Sequence, residues 1–443
     1  MRILRHFRAA ALCFLLFVLV PLWTGCGDVY RPVATPITPN PPSPNFNHFV
    51  IAVSTDGPNS FGATTDIDVS GDTNLGVAQV GIAPVHAAML PGAFRIFVAD
   101  SGDSTVASFA PTTISPIVFT TLPAGSIPVF IATAETANVY VADDGNNSVL
   151  VISVVNGIVT NQISVGMKPV AMVETPDTEK IYVASAGNSS TPGSVTSINA
   201  SDKTANPPVG SGWVSPVWVA SRSDSQRVYV LDSGTGTVTA IDTFADGIIG
   251  SASVGVGANY MFYDSKLNRL NVTNPAADTM TILDASQDSL PALATISFAA
   301  GSVPCPAGCA PLSITALPDG SKAYVATAAV SGTTVTSRVT VINELNNTIK
   351  GTVALTSVPL ACTTNSPYEL FTAASADSSR VYVSNCDAGS IGIISTIADS
   401  SPGDNFGPDT LITNMPAPLG TGPITSPGGT PAPQNPVFIL PSP

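Results

Sequence analysis

The feature that most constrains this chain is a hairpin that recurs. The stretch RVYVLDSGTGTVTAID, Arg227 to Asp242, sets two alternating β-branched runs around DSGTG, a cluster of turn formers. A lone two-stranded hairpin is marginal in water, so its copies must bury one another. Relatives begin at Arg95 (RIFVADSGDSTVASF), Asn138 (NVYVADDGNNSVLVIS), Lys180 (KIYVASAGNSSTPGSVTSIN), Arg269 (RLNVTNPAADTMTILD), Lys322 (KAYVATAAVSGTTVTSRVTVIN) and Arg380 (RVYVSNCDAGSIGIIS). Aligned, they place Phe97, Tyr140, Tyr182, Tyr229, Asn271, Tyr324 and Tyr382 at one position, spaced by 43, 42, 47, 42, 53 and 58 residues. A weaker eighth copy starts at His48.

Between the hairpins lies a second recurrent piece, a Pro or its stand-in followed by an apolar strand. Examples are APVHAAML, IPVFIATA, KPVAMVET, SPVWVASR, ANYMFYDS, APLSITAL and SPYELFTA. A strand ending near Val-Gly commonly precedes it, as in QVGIAP and SVGMKP. Each period therefore carries four short strands, the content of one β-propeller blade at about 40–50 residues. Labelling the Pro-led strand A and the next three B, C and D, seven complete sets start at Pro84, Pro128, Pro169, Pro216, Ala258, Pro311 and Pro367. The remaining pieces are a B–C–D-like stretch from His48 to about Val80 and an A-like NPVFILPSP at Pro436. Paired, they make one more blade and remove the open sheet edges that invite aggregation. The expectation is an all-β propeller of four-stranded blades over residues 48–443. Eight blades are favoured, and seven is the alternative if the weak first copy is not a full blade.

The repeats VYVADDGNNSVLVIS and VGMKPVAM, with LPDG, resemble the YVTN-type β-propeller repeats of bacterial surface and secreted proteins. The resemblance spans essentially residues 48–443. It implies fold and leaves function open, because propellers host many activities.

The N-terminus gives an address. MRILRHFRAAALCFLLFVLVPLWTGCGD carries three arginines, then an apolar run from Ala9 to Trp23, then small residues, the layout of a secretory signal peptide over residues 1–25. LWTGC resembles a bacterial lipobox, which implies lipidation of Cys26; Trp23 departs from the usual Leu there, with Leu22 adjacent. Residues 26–47, rich in proline, read as an extended tether unable to pack a core. Gly27 after the Cys carries no Asp-type retention signal, so resemblance to Gram-negative lipoproteins implies the outer membrane, facing the periplasm or the exterior. Without the leader, 13 basic side chains stand against 30 acidic ones, near −17, which disfavours nucleic acid as a partner. Most of that acid is expected in solvated loops and turns. A monomer is expected, held to the membrane by its lipid, with an unknown protein or glycan as its partner.

Candidate ligand-facing positions come from the A strands, where side chains alternate faces. The second residue after the Pro is His86, Phe130, Ala171, Trp218, Tyr260, Ser313, Glu369 or Phe438. Read as a ring around the central channel, it offers stacking surface with one His and one Glu; the competing reading, which is favoured, is a plug of bulky side chains. A one-residue slip would turn the ring into core. Enzyme signatures are missing: there is no G-x-S-x-G elbow, phosphate-loop GKT/GKS, HExxH or CxxCH, and after the leader only His48 and His86 remain. No catalytic residue, metal ligand or cofactor is assigned. A lactonase-like hydrolase with a divalent metal in the channel, around Glu369 and His86, is the alternative to a binding or scaffold protein. The turns ADSGDS and ADDGNN lack EF-hand spacing and read as hairpin turns.

Four cysteines remain beyond Cys13 and Cys26, an even number in an exported chain. Cys305 and Cys309 lie close enough to close their own loop. Cys362, in a D-to-A loop, and Cys386, in a B-to-C loop, fall on the same propeller face and form the natural second pair. These are also the longest periods, so the loops around 301–311 and 358–367 are the preferred interaction site. The Pro- and Gly-rich segment from about Ser400 to Asn435 is expected to be one long irregular excursion.

Overall fold

The structure, a computed structural model, describes residues 48–92, 94–111, 116–362, 370–397, 408–420 and 433–442. Residues 1–47, Cys26 among them, and Glu369 lie outside them.

Eight four-stranded antiparallel sheets make the fold. Seven run A to D in chain order, with inner strands Pro84–Met89, Pro128–Ala132, Pro169–Glu174, Pro216–Ser221, Tyr260–Asp264, Ala310–Ala316 and Leu370–Ala374. These are blades 2 to 8. Blade 1 takes Phe49–Thr55, Phe61–Asp68 and Thr73–Ile82 from one end of the described chain, and its inner strand Asn435–Pro441 from the other. Val50 pairs with Pro441 and Val53 with Phe438, which closes the ring. Each inner strand touches its two neighbours in cyclic order, so the eight surround a common axis. Eight blades are therefore present.

Each hairpin folds locally for legible reasons. In the Arg227 copy, Asp232 at the end of strand B turns its carboxylate onto the D-to-A loop. Its Oδ2 accepts Val214 N–H at 2.8 Å and its Oδ1 accepts Ser215 N–H at 2.9 Å. Asp143 does the same for Ile127 N–H at 2.8 Å and Ser126 Oγ at 2.8 Å. The acids of these turns are thus acceptors for backbone that would otherwise be orphaned, rather than solvated charge. Gly236 closes the turn at φ +68°, and a Cβ there would lie 2.2 Å from Val256 N, so only glycine fits.

Blade meets blade through the aligned aromatic. Tyr140, Tyr182, Tyr229, Tyr324 and Tyr382 are all fully buried. The basic residue two positions before the tyrosine reaches the C-to-D turn of the next blade. Lys180 Nζ meets Asp246 at 2.9 Å, Lys322 Nζ meets Asp409 at 2.7 Å, and Arg227 Nε meets Asp288 at 2.8 Å. Tyr182 Oη donates to Asp246, and Tyr324 Oη donates to Asp409 at 2.6 Å. Asp246 and Asp409 sit at φ +51° and +60°, a conformation that Asp tolerates better than most side chains. Much of the acid therefore joins neighbouring blades.

One expectation is corrected. The segment from Ser400 to Asn435 is not a single irregular excursion, because Thr410–Pro416 forms the outer strand of blade 8, paired to Ser390–Ser395. Its TLITNM alternation is modest and hidden among prolines and glycines; residues 398–407 and 421–432 on either side lie outside the described residues.

Candidate functional site

The inner strands place their side chains by a shared irregularity. After Pro84, Pro128, Pro169, Pro216 and Pro311 the pairing register shifts before the residue two positions on. Proline has no N–H to give a ladder, so a bulge there costs no hydrogen bond, and it re-aims the following side chain. That side chain is His86, Phe130, Ala171, Trp218 or Ser313.

Six rings then meet in a closed cycle. His86 stacks on Phe130 at 3.8 Å between centroids; Phe130 meets Trp218 edge-on at 5.7 Å; Trp218 meets Tyr260 at 4.5 Å. Tyr260 meets Phe371 edge-on at 5.5 Å, Phe371 meets Phe438 at 4.5 Å, and Phe438 returns to His86 at 4.2 Å. All except Trp218 are buried. Such pairs stabilise by about 0.5–1.5 kcal/mol each beyond their area. The arrangement fills the axis with interlocked rings.

Phe371 is the member the sequence reading missed. That reading put Glu369 in the ring, but Phe371 pairs with Ser384, two residues past Tyr382. His86 pairs with Ala99, two past Phe97, and Trp218 with Leu231, two past Tyr229, so Phe371 holds the equivalent place. Counting back from the aligned aromatic, rather than forward from the proline, would have found it. Most ring residues precede that aromatic by 11 positions, and Glu369 precedes it by 13.

His86 is the ring's one titratable histidine, and its chemistry is restrained. Its Nδ1 accepts Ile131 N–H at 3.3 Å. Burial pushes its pKa down to about 3, so it is neutral at ordinary pH with its proton on Nε2. Among the described residues, no group of three or more His, Cys, Asp or Glu is placed to hold a metal ion.

The D-to-A and B-to-C loops form a different surface. Cys305–Cys309 and Cys362–Cys386 are both disulfides, with Cα–Cα distances of 5.7 and 5.3 Å. The second ties a D-to-A loop to a B-to-C loop, and Asp387 Oδ1 accepts Ala361 and Cys362 N–H, both at 2.8 Å. Exposed apolar side chains stand one to a loop among the D-to-A loops, as Ile127, Val214, Val256, Val303, Leu360 and Leu419, with Val303 84% exposed; the C-to-D turns of the opposite face expose Val155, Phe244 and Leu345. The ion pairs described above lie on the opposite face, where an open cleft of about 450 Å³ is lined by Glu135, Asp177, Glu179, Lys180 and Asn199.

The fold and its axis define a class, an eight-bladed β-propeller with an aromatic-filled channel. No protein-family model and no curated protein matches the chain. Solved structures similar to it include apo AztD from Citrobacter koseri (TM-score 0.56, 13% identity, covering 89% of this chain and 98% of that one). Others are Kuenenia stuttgartiensis hydrazine synthase (0.52, 16%, 72% and 96%) and the dihydro-heme d1 dehydrogenase NirN in complex with DHE (0.58, 12%, 79% and 70%). At these identities the likeness is one of fold.

Proposed function

We propose that the chain is a lipid-anchored scaffold of the bacterial cell envelope, built of YVTN-type repeats, that binds a protein or glycan through the face carrying its two stapled loops. The observation that carries this reading is that each disulfide-tied loop holds out an apolar side chain beside its cysteine, Val303 at 84% and Leu360 at 57% exposed, since exposed apolar surface on a held loop is where soluble proteins meet partners. The filled axis supports it too, because a substrate site there would have to displace packed rings. His86, clamped between Phe130 and Phe438, is a poor general base, so the metal-dependent hydrolase is not favoured.

Under this proposal Cys26 carries the lipid, residues 26–47 space the propeller from the outer membrane, and the molecule is a monomer without a resident cofactor or nucleic-acid partner. A photo-cross-linking side chain at Val303 or Leu360, in the full chain and its native envelope, tests it, with Phe244 on the opposite face as control. A discrete adduct from the first two positions alone supports the reading; adducts from both faces alike, or from neither, overturn it. Loss of membrane retention on Cys26→Ser tests the anchor separately.

A further inference from the structure

The junction between blades 6 and 7 departs from the others. Asn271 stands where most copies carry the aromatic, and the C-to-D turn of blade 7 sends in Glu344, which is fully buried. Glu344 Oε1 accepts Asn271 Nδ2 at 2.9 Å. Asp264, 3% exposed at the end of the inner strand Tyr260–Asp264, commits its Oδ1 to the backbone N–H groups of Lys266 at 2.8 Å and Leu267 at 3.3 Å. The second oxygens, Asp264 Oδ2 and Glu344 Oε2, are buried and receive no donor. Asp264 stands opposite Arg269 in the strand ladder and Arg269 holds Glu344 O, so the two carboxyl groups converge on one junction, where Asp264 acts on Glu344. Two buried acceptors brought together require a hydrogen between them.

We propose that Asp264 and Glu344 share one proton across this junction, and that its release makes the contact between blades 6 and 7 responsive to pH. The hydrogen resides on one carboxyl and is donated to the other, satisfying both orphan oxygens at once. The charge count favours a proton over a metal ion. Arg269 donates its Nη1 to Glu344 O and, at 2.9 Å, to Asn347 Oδ1, so one guanidinium and two carboxylates leave a single negative charge. One proton neutralises that set, whereas a divalent cation would overshoot and face the guanidinium. Lys266, on the turn after Asp264, packs its stem against Gly320. As pH rises the proton leaves to solvent, and two like charges remain in a buried contact. Burial, with Asp264 next, raises the Glu344 carboxyl to about 7, which sets this release near neutrality.

The test uses Glu344→Gln in the full chain. Its amide nitrogen would donate permanently to Asp264 Oδ2 while its oxygen keeps the Asn271 bond. At about pH 8 the variant's unfolding constant is expected to fall below that of the unsubstituted chain by on the order of 100-fold, with the difference shrinking to a few-fold near pH 5 and vanishing below the ordinary value of 4.5. Asp264→Asn should reproduce this, since its amide donates the other way. Lower stability at both pH values, or an unchanged pH dependence, overturns the proposal. So does stabilisation of the unsubstituted chain, but not of Glu344→Gln, by added calcium, because a cation would then occupy the site. An infrared carbonyl band of an un-ionised carboxyl, present near pH 6 and lost in Glu344→Gln, gives a second readout independent of folding.

Discussion

Arg380 Nε lies 3.1 and 3.0 Å from the two carboxylate oxygens of Asp72, joining residues 308 positions apart. Both side chains are mostly buried, at 11% and 13% exposed. This pair joins blade 8 to the first-formed part of blade 1 and so lies at the closure of the ring. Removing one partner leaves the other charge poorly solvated, so Arg380→Ala should cost about 2–4 kcal/mol in denaturant unfolding. A double-mutant cycle with Asp72→Asn should recover a coupling well above that of an exposed pair; a coupling near zero would reduce the contact to geometry.

The aromatic cycle makes a second prediction. Phe371→Ala should lose about 3–5 kcal/mol, the range for truncating a buried ring, and should shift the near-ultraviolet signal of Trp218 and Tyr260. Phe371→Leu should lose less while altering the same signal. If Phe371→Ala unfolds at the same denaturant midpoint as the unsubstituted chain, the rings are not acting as packed core.

Stability should be greater at about pH 5 than at about pH 8. Asp66, Glu174 and Glu344 each have a carboxyl raised to about 7, chiefly by burial, so the folded chain holds protons the unfolded one has released. Their contribution is complete below their unfolded values and is lost as pH climbs through 7. His86 acts in the opposite sense, because the folded state keeps it neutral down to about 3 while the unfolded chain protonates it below its ordinary value of 6.5. Three carboxyls outweigh one imidazole between those limits. Thermal melts across that range check the sign, and a melting temperature that rises steadily to pH 8 would contradict it.

Reduction should separate the two disulfides. In the chain-entropy model the Cys362–Cys386 loop is worth about 3 kcal/mol and the much shorter Cys305–Cys309 loop about 2 kcal/mol. Replacing each pair by alanine and measuring denaturant midpoints should rank them in that order.

The architecture was legible because each period repeats one hairpin, and the closure because the leftover strands were complementary. Cys305–Cys309 was legible from its short spacing and Cys362–Cys386 from loop type. The ring was legible where a proline, or Ala258 in its place, leads the inner strand. Near Pro367 the landmark pointed to Glu369, which lies outside the described residues, and passed over Phe371, which joins the ring. The acids looked like solvated charge because composition does not record that a carboxylate in a turn faces the lysine of the preceding blade, as Asp409 faces Lys322. The basic residue two positions before the aromatic was visible in six copies, yet its partner lies a whole period onward, beyond the reach of local pattern.

Blade 1 has its inner strand at residues 435–441 and its other three at residues 49–82. The order of synthesis and the order of assembly are therefore inverted for that blade. Its outer strands emerge first and must wait, with Ile51 and Val53 unsheltered, until nearly four hundred further residues have been made. Seven blades can gather in sequence, but the circle has no partial credit at its last joint. A nascent chain of this kind carries an open, sticky edge for the whole of its passage, and the final strand works as a zip that ends that exposure in one step.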